Sequence, residues 1–113
     1  MPSPMTDSLL RLETTIAARR GADPASSYVA KLNAKGLGKI AQKLGEEATE
    51  TVIAALTEGR AELVGEAADL LFHLLVLLNA KDVSLSEVLA ELDRREGQSG
   101  IAEKAARNDL GNF

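Results

Sequence analysis

Five carboxylates stand in two short patterns, Glu46-Glu47-x-x-Glu50 and Glu66-x-x-Asp69, with fifteen residues between them. At 3.6 residues per turn, Lys39, Lys43, Glu46, Glu47 and Glu50 fall on one helical arc of roughly 100°, and Glu66, Asp69 and His73 on a narrower one. Carboxylates one turn apart repel by ~0.2–0.5 kcal/mol in an isolated helix. Desolvation between two packed helices adds to that cost. A divalent cation relieves both. Oxygen-only ligands, in a chain with no cysteine and one histidine, favour Mg2+ or Mn2+ over zinc or copper. Mg2+ held by a few carboxylates together with substrate phosphates is the usual arrangement for phosphoryl chemistry. Lys39 and Lys43, one turn apart and of like sign, suit a polyphosphate.

Plainer readings exist for each feature. Glu46, Glu47 and Glu50 alone fit a solvated helix face on which Lys43 and Glu47 form an ordinary ion pair, and both lysines can simply face solvent. What favours chemistry is the company of Glu66 and Asp69, which sit in a stretch that is otherwise almost wholly apolar from Leu63 to Leu78. Solubility does not explain charge there. His73 reads as a satisfied core histidine ahead of a substrate contact, and Tyr28 as a packing residue ahead of a base-stacking one. In the segment from Gly97 to Arg107, glycines and Ser99 at a helix start offer backbone N–H groups to a phosphate. Lys104 and Arg107, one turn apart, add cationic donors. A capped terminal helix with ordinary surface charges accounts for the same residues.

The elements that carry these residues read as helices. Alanine and leucine supply 36 of the 113 residues, against 16 for valine, isoleucine and threonine. The first pair are strong helix formers and β-branched residues favour strands. No period-2 alternation is sustained, and no Asn-Gly or Asp-Gly hairpin signal occurs. Thr6 or Asp7 caps a first helix to about Arg20, ended by Gly21-Ala22-Asp23-Pro24. Ser26 or Ser27 opens a short helix to about Asn33, and Gly36 and Gly38 mark the turn after it. A long helix from about Gly38 to Thr57 carries the first acidic pattern. Another from about Arg60 to Ala80 carries the second, and the short turn between them predicts an antiparallel pair. Ser84-Leu85-Ser86-Glu87 is a capping box for a helix to about Glu96, followed by an amphipathic turn or two ending near Asn108.

The expectation is an all-α, four- to five-helix bundle: a loose tail over 1–5, one helical domain over 6–108 and a C-terminal tail over 109–113. The 60–80 helix, apolar nearly all round, is expected to be buried. So short a chain has too few other helices to cover it, which predicts a homodimer. The absence of cysteine excludes disulfides, thiolate sites and cysteine nucleophiles. A net charge of −4, from 13 basic and 17 acidic residues, argues against non-specific nucleic-acid binding. No secretory signal is recognisable at the start, and no apolar run approaches the ~20 residues that span a bilayer. A cytoplasmic protein without nucleic-acid or membrane partners is expected.

Lys43-Leu44-Gly45-Glu46-Glu47-Ala48-Thr49-Glu50, followed by Glu66-Ala67-Ala68-Asp69, resembles the Glu-Glu-x-x-Glu…Glu-x-x-Asp signature of the all-α NTP pyrophosphatases, which include MazG-like enzymes and dimeric dUTPases. Within that superfamily the chain is similar to the phosphoribosyl-ATP pyrophosphatase family, over roughly Leu9 to Arg107. The run from Ala68 to Leu78 and the Ser99-Gly100…Glu103-Lys104…Arg107 tail carry the narrower likeness. The resemblance implies hydrolysis of phosphoribosyl-ATP, a nucleotide of histidine biosynthesis, to phosphoribosyl-AMP and pyrophosphate. It also implies a dimer, and a monofunctional enzyme, since the cyclohydrolase domain fused in some family members is not in this sequence. Carried onto these positions, it makes Glu47, Glu50, Glu66 and Asp69 ligands of Mg2+, with Mn2+ as a substitute. Glu46 becomes a further ligand or the group orienting the attacking water. Lys39 and Lys43 would hold the leaving phosphates, and Ser99, Lys104 and Arg107 the ribose phosphate. Two other readings stay open: a MazG-like house-cleaning hydrolase of nucleoside triphosphates, and a non-catalytic helical dimerisation module.

Overall fold

The computed structural model describes the backbone of residues 4–97 and the side chains of residues 7–97. Among them every regular element is an α-helix: α1 (Pro4–Arg19), α2 (Tyr28–Lys35), α3 (Leu37–Thr57), α4 (Arg60–Ala80) and α5 (Leu85–Glu96). The all-α expectation holds. α1 begins at Pro4, before the expected cap at Thr6 or Asp7. Proline suits the first helical position because the N–H it lacks has no intrahelical partner there. The expected last turns to Asn108 lie outside the described residues.

Local chemistry accounts for the breaks. After α1, Asp23 folds the chain back on itself: its Oδ1 accepts from Ala25 N at 3.0 Å and its carbonyl from Ser26 N and Ser27 N. Ser27 then caps α2, its Oγ accepting from Ala30 N at 3.2 Å. Gly36 is the only residue between α2 and α3 and serves both. Its N–H reaches back to Leu32 O and Asn33 O, and its carbonyl accepts from Lys39 N and Ile40 N. It does so at φ +101°, a conformation open to glycine and costly for other residues. α3 therefore starts one residue earlier than the glycine pair predicts.

Glu58 and Gly59 alone separate α3 from α4, and a connection this short lays the two helices antiparallel. Their mutual packing is the most extensive among the described helices. α1 also packs on α4, and α2 on α3. Arg20 ties the end of α1 to the end of α4, donating to Asn79 O at 3.0 Å and meeting Asp82 Oδ1 at 3.5 Å. Ile16, Leu32, Ile40, Ala54 and Val76 form the centre of the core, each almost wholly buried. The chain divides between Val83 and Ser84, so that α1–α4 form one compact unit and α5 belongs to a second. α5 is closed at its start by the expected box, Ser84 Oγ accepting from Glu87 N and the Glu87 carboxylate from Ser84 N. Near its end, Arg94 and Arg95 both grip Glu91.

The burial predicted for the 60–80 helix is not met in the single chain. His73, Leu75 and Val76 are buried, but Val64 and Leu71 are exposed. On α3, Val52, Ile53 and Leu56 are exposed as well, Leu56 to 78%. The α3–α4 pair thus closes on one side only. No helix among the described residues is long and apolar enough to cross a membrane.

Candidate active site

The antiparallel register sets the acidic patterns facing one another. Thr51 Oγ1, one turn after Glu47, lies 2.8 Å from Glu47 O and 3.2 Å from Glu66 O. One hydroxyl therefore links α3 to α4 at the level of the carboxylates. At that level Glu47, Glu66 and Asp69 each present an oxygen within 4.8 Å of the other two. Glu47 is 8% exposed, whereas Glu66 is half-buried and Asp69 exposed. The deepest burial thus falls on α3, and not on the acidic residues of the more apolar α4.

The charges in this cluster are strained. Burial pushes the Glu47 carboxyl above the usual carboxylate range, and Glu50 and Asp69 push it further. Glu66 is raised for the same reasons, first by desolvation and then by Glu50 and Asp69. Glu50 therefore adjoins the cluster electrostatically, although it is not among the three whose oxygens converge. Glu46 is directed elsewhere: it accepts from Gln42 at 2.8 Å and from Lys43 at 3.2 Å, and these bonds lower its pKa. Glu47 Oε2 is buried without a hydrogen-bond partner among the described residues. A buried, unpartnered carboxylate oxygen is expensive. Here it sits among further carboxylate oxygens, a donor set that suits a hard divalent cation such as Mg2+.

On the other side of Lys43, which also stands 4.0 Å from Glu47, a cleft of about 220 Å3 opens between α2 and α3. It is lined by Tyr28, Lys31, Leu32, Lys35, Lys39 and Lys43. His73 joins cleft to cluster. Its Nδ1 lies 2.7 Å from Asp69 O and its Nε2 2.9 Å from the Tyr28 hydroxyl. A carbonyl can only accept, so Nδ1 carries the proton, and in the neutral ring Nε2 accepts from Tyr28. Phe72 stacks on Tyr28, with ring centroids 6.0 Å apart. His73 is the satisfied buried histidine expected. Tyr28 does more than pack: it lines the lysine cleft, and its phenol interacts electrostatically with Lys43.

Among the site residues expected from sequence, then, Glu47, Glu66 and Asp69 converge, Glu50 adjoins them, Lys43 borders them, Lys39 lines the neighbouring cleft and Glu46 turns away. Ser99, Lys104 and Arg107 lie outside the described residues. Thr51 is not legible as a site residue in the sequence, because a mid-helix threonine carries no local signal of the carbonyl it meets on another helix.

Comparison with known proteins places these features in a wider setting. The family model described as phosphoribosyl-ATP pyrophosphohydrolase matches residues 9–96. A phosphoribosyl-ATP pyrophosphatase of Novosphingobium aromaticivorans is 75% identical over 101 residues, covering 89% of this chain and 94% of the relative. One of Erythrobacter litoralis is 74% identical over 103 residues (91% and 99%). A third, of Paracoccus denitrificans, is 60% identical over 107 residues (95% and 99%).

Proposed function

The chain belongs to the phosphoribosyl-ATP pyrophosphohydrolase family and is an enzyme hydrolysing a phosphoric anhydride bond, and from that premise we propose that it converts 1-(5-phosphoribosyl)-ATP to 1-(5-phosphoribosyl)-AMP and pyrophosphate. This is the second step of histidine biosynthesis, placed in the cytoplasm and dependent on Mg2+ with Mn2+ as a substitute. The observation that carries the reading is the convergence of Glu47, Glu66 and Asp69 within 4.8 Å around a buried, unpartnered Glu47 oxygen.

In this reading Glu47, Glu66 and Asp69 hold the metal and Glu50 completes the set. When bound, the ion offsets the charge of the phosphoryl oxygens and makes water a better nucleophile. Where a water oxygen bonds to the α-phosphorus, the bond from that phosphorus to the bridging oxygen breaks and pyrophosphate takes the bridging oxygen with its electron pair. Where it bonds to the β-phosphorus, the phosphoribosyl-AMP phosphate takes them, and on either course the proton shed by the water goes to solvent. Lys43 and Lys39 meet the charge on pyrophosphate with charge-assisted hydrogen bonds. Glu46, bonded to Lys43, holds the first of these lysines at the rim of the cluster. Ser99, Lys104 and Arg107 take the ribose phosphate.

The working unit is a homodimer. Val52, Ile53 and Leu56 of α3 with Val64 and Leu71 of α4 expose a row of large apolar side chains, which a second copy would cover. Sedimentation at micromolar concentration should give a dimer, and Leu56→Glu should shift it toward monomer. A stable wild-type monomer would remove this part of the reading.

Product analysis tests the reaction. Wild-type protein with Mg2+ should release pyrophosphate from phosphoribosyl-ATP much faster than from ordinary nucleoside triphosphates, and chelation should abolish turnover. Glu66→Gln keeps the shape but removes the ligand charge. It should stay helical, lose activity by about 100-fold or more, and lose the thermal stabilisation Mg2+ gives the folded state. Equal turnover of deoxynucleoside triphosphates would point to the house-cleaning class, and activity untouched by chelation would remove the metal.

A further inference from the structure

The cleft between α2 and α3 holds more positive charge than Lys39 and Lys43 account for. Lys31 and Lys35 lie one turn apart on α2, as Lys39 and Lys43 do on α3. Gly36, at φ +101°, turns the chain so that both lysine pairs line one cavity of about 220 Å3. No carboxylate is among its lining residues. Lys43 is paired with Glu46 and Glu47. For Lys31, Lys35 and Lys39 no carboxylate lies within ion-pair distance among the described residues. Like charges one turn apart on a helix repel, so Lys31, Lys35 and Lys39, which lack a carboxylate partner among the described residues, favour an anion within the cavity.

The position of the cavity selects the anion. Lys43 stands between it and the acidic cluster. Among its lining residues, Tyr28 is fixed by the hydrogen bond to His73, whose other nitrogen is anchored on the backbone of Asp69. Leu32, 2% exposed, forms an apolar floor. A phosphate chain laid over Glu47, Glu66 and Asp69 therefore continues past Lys43 into a cleft that offers cations, a phenolic oxygen and no opposing charge. We infer that Lys31 and Lys35 of α2, which belong to neither acidic pattern, bind the terminal phosphate of the departing pyrophosphate and complete the seat begun by Lys39 and Lys43. Placing positive charge there assists the reaction, because pyrophosphate gains negative charge as the anhydride bond breaks.

This inference rests on the proposed pyrophosphohydrolase reading, and its test is separable from it. Calorimetric titration with inorganic pyrophosphate in Mg2+ requires no turnover. The double variant Lys31→Met/Lys35→Met keeps most of each side chain's apolar length and removes both charges. It should bind pyrophosphate at least ~10-fold more weakly than wild type, with a shallower dependence on salt. Lys31→Arg/Lys35→Arg should recover most of the affinity, which separates lost charge from a damaged fold. Pyrophosphate should correspondingly become a poorer product inhibitor of the methionine variant. Ribose 5-phosphate, the probe for the other anionic end of the substrate, should bind wild type and variant alike. Unchanged pyrophosphate affinity in the methionine variant, no pyrophosphate binding by wild type, or loss of ribose 5-phosphate in place of pyrophosphate would each overturn the inference. If wild type fails to cleave phosphoribosyl-ATP yet binds pyrophosphate through these two lysines, the reading of the reaction falls and the anion seat stands.

Discussion

Tyr28 and His73 show how much a single hydrogen bond can organise. The imidazole is buried between two helices, and its proton position is dictated by a backbone carbonyl that can accept and never donate. That leaves one nitrogen in need of a donor, and Tyr28 supplies it. Tyr28→Phe retains the stacking on Phe72 but strands a buried acceptor. Such a loss costs about 1–3 kcal/mol, so urea unfolding should show a clear fall in stability with helix content unchanged. Substrate affinity should fall too, because the same oxygen borders the lysine cleft. Equal unfolding midpoints for the two proteins would mean that His73 is satisfied without Tyr28. The role of Tyr28 could not be read from its neighbours in sequence, since its partner lies 45 residues away. The residue types of the acidic patterns could be read. Their division of labour could not: Glu46 and Glu47 are adjacent in sequence, yet one is tied outward to Gln42 and Lys43 while the other is buried in the cluster.

Helices and their ends were the most predictable layer, because the interactions that fix them are local. Ser27 and Ser84 cap α2 and α5 through bonds spanning three residues, and the two-residue turn at Glu58-Gly59 dictates an antiparallel pair. The register between α3 and α4 is a different matter, since it depends on side chains meeting across the pair. Thr51 is the contact that ties this register to the carboxylates. Its hydroxyl has one proton and two acceptors, Glu47 O in its own helix and Glu66 O in the next. Thr51→Val preserves shape and removes both bonds, at a net cost of about 0.5–1.5 kcal/mol. The consequence for function should exceed that figure, because a small slip of α4 against α3 separates Glu47 from Glu66. Mg2+-dependent thermal stabilisation should therefore shrink in Thr51→Val, with Thr51→Ser intermediate or near wild type. A valine variant with full metal response would show that packing alone holds the register.

At the scale of the whole molecule, the described carboxylates with shifted pKa values act on stability in two opposed groups, and pH separates them. Glu47 and Glu66 are raised above their ordinary value of 4.5, chiefly by desolvation. Above that value the metal-free folded chain holds more protons at these sites than the unfolded chain, so their contribution to stability is lost as pH rises. Glu46, Glu87 and Glu91 are lowered: Glu46 by bonds from Gln42 and Lys43, Glu87 by Ser84 N–H, and Glu91 to about 2 by Arg94 and Arg95. Their contribution is complete above 4.5 and lost as pH falls, for Glu91 toward about 2. The two trends cross in mildly acidic solution, where the metal-free protein should be most stable with respect to these groups. On the proposed reading Mg2+ should reverse the upper trend, because it would bind the ionised carboxylates and stabilise only the folded state. Melting curves in chelator and in Mg2+ across about pH 4–8 should therefore diverge as pH rises, with a larger increment from Mg2+ near pH 7.5 than near pH 5. Glu47→Gln should flatten the chelator curve above about pH 5 and remove most of the increment. A metal-free melting temperature that climbs from about pH 5 to 7.5, or an increment that ignores pH, would show that Glu47 and Glu66 do not hold the ion.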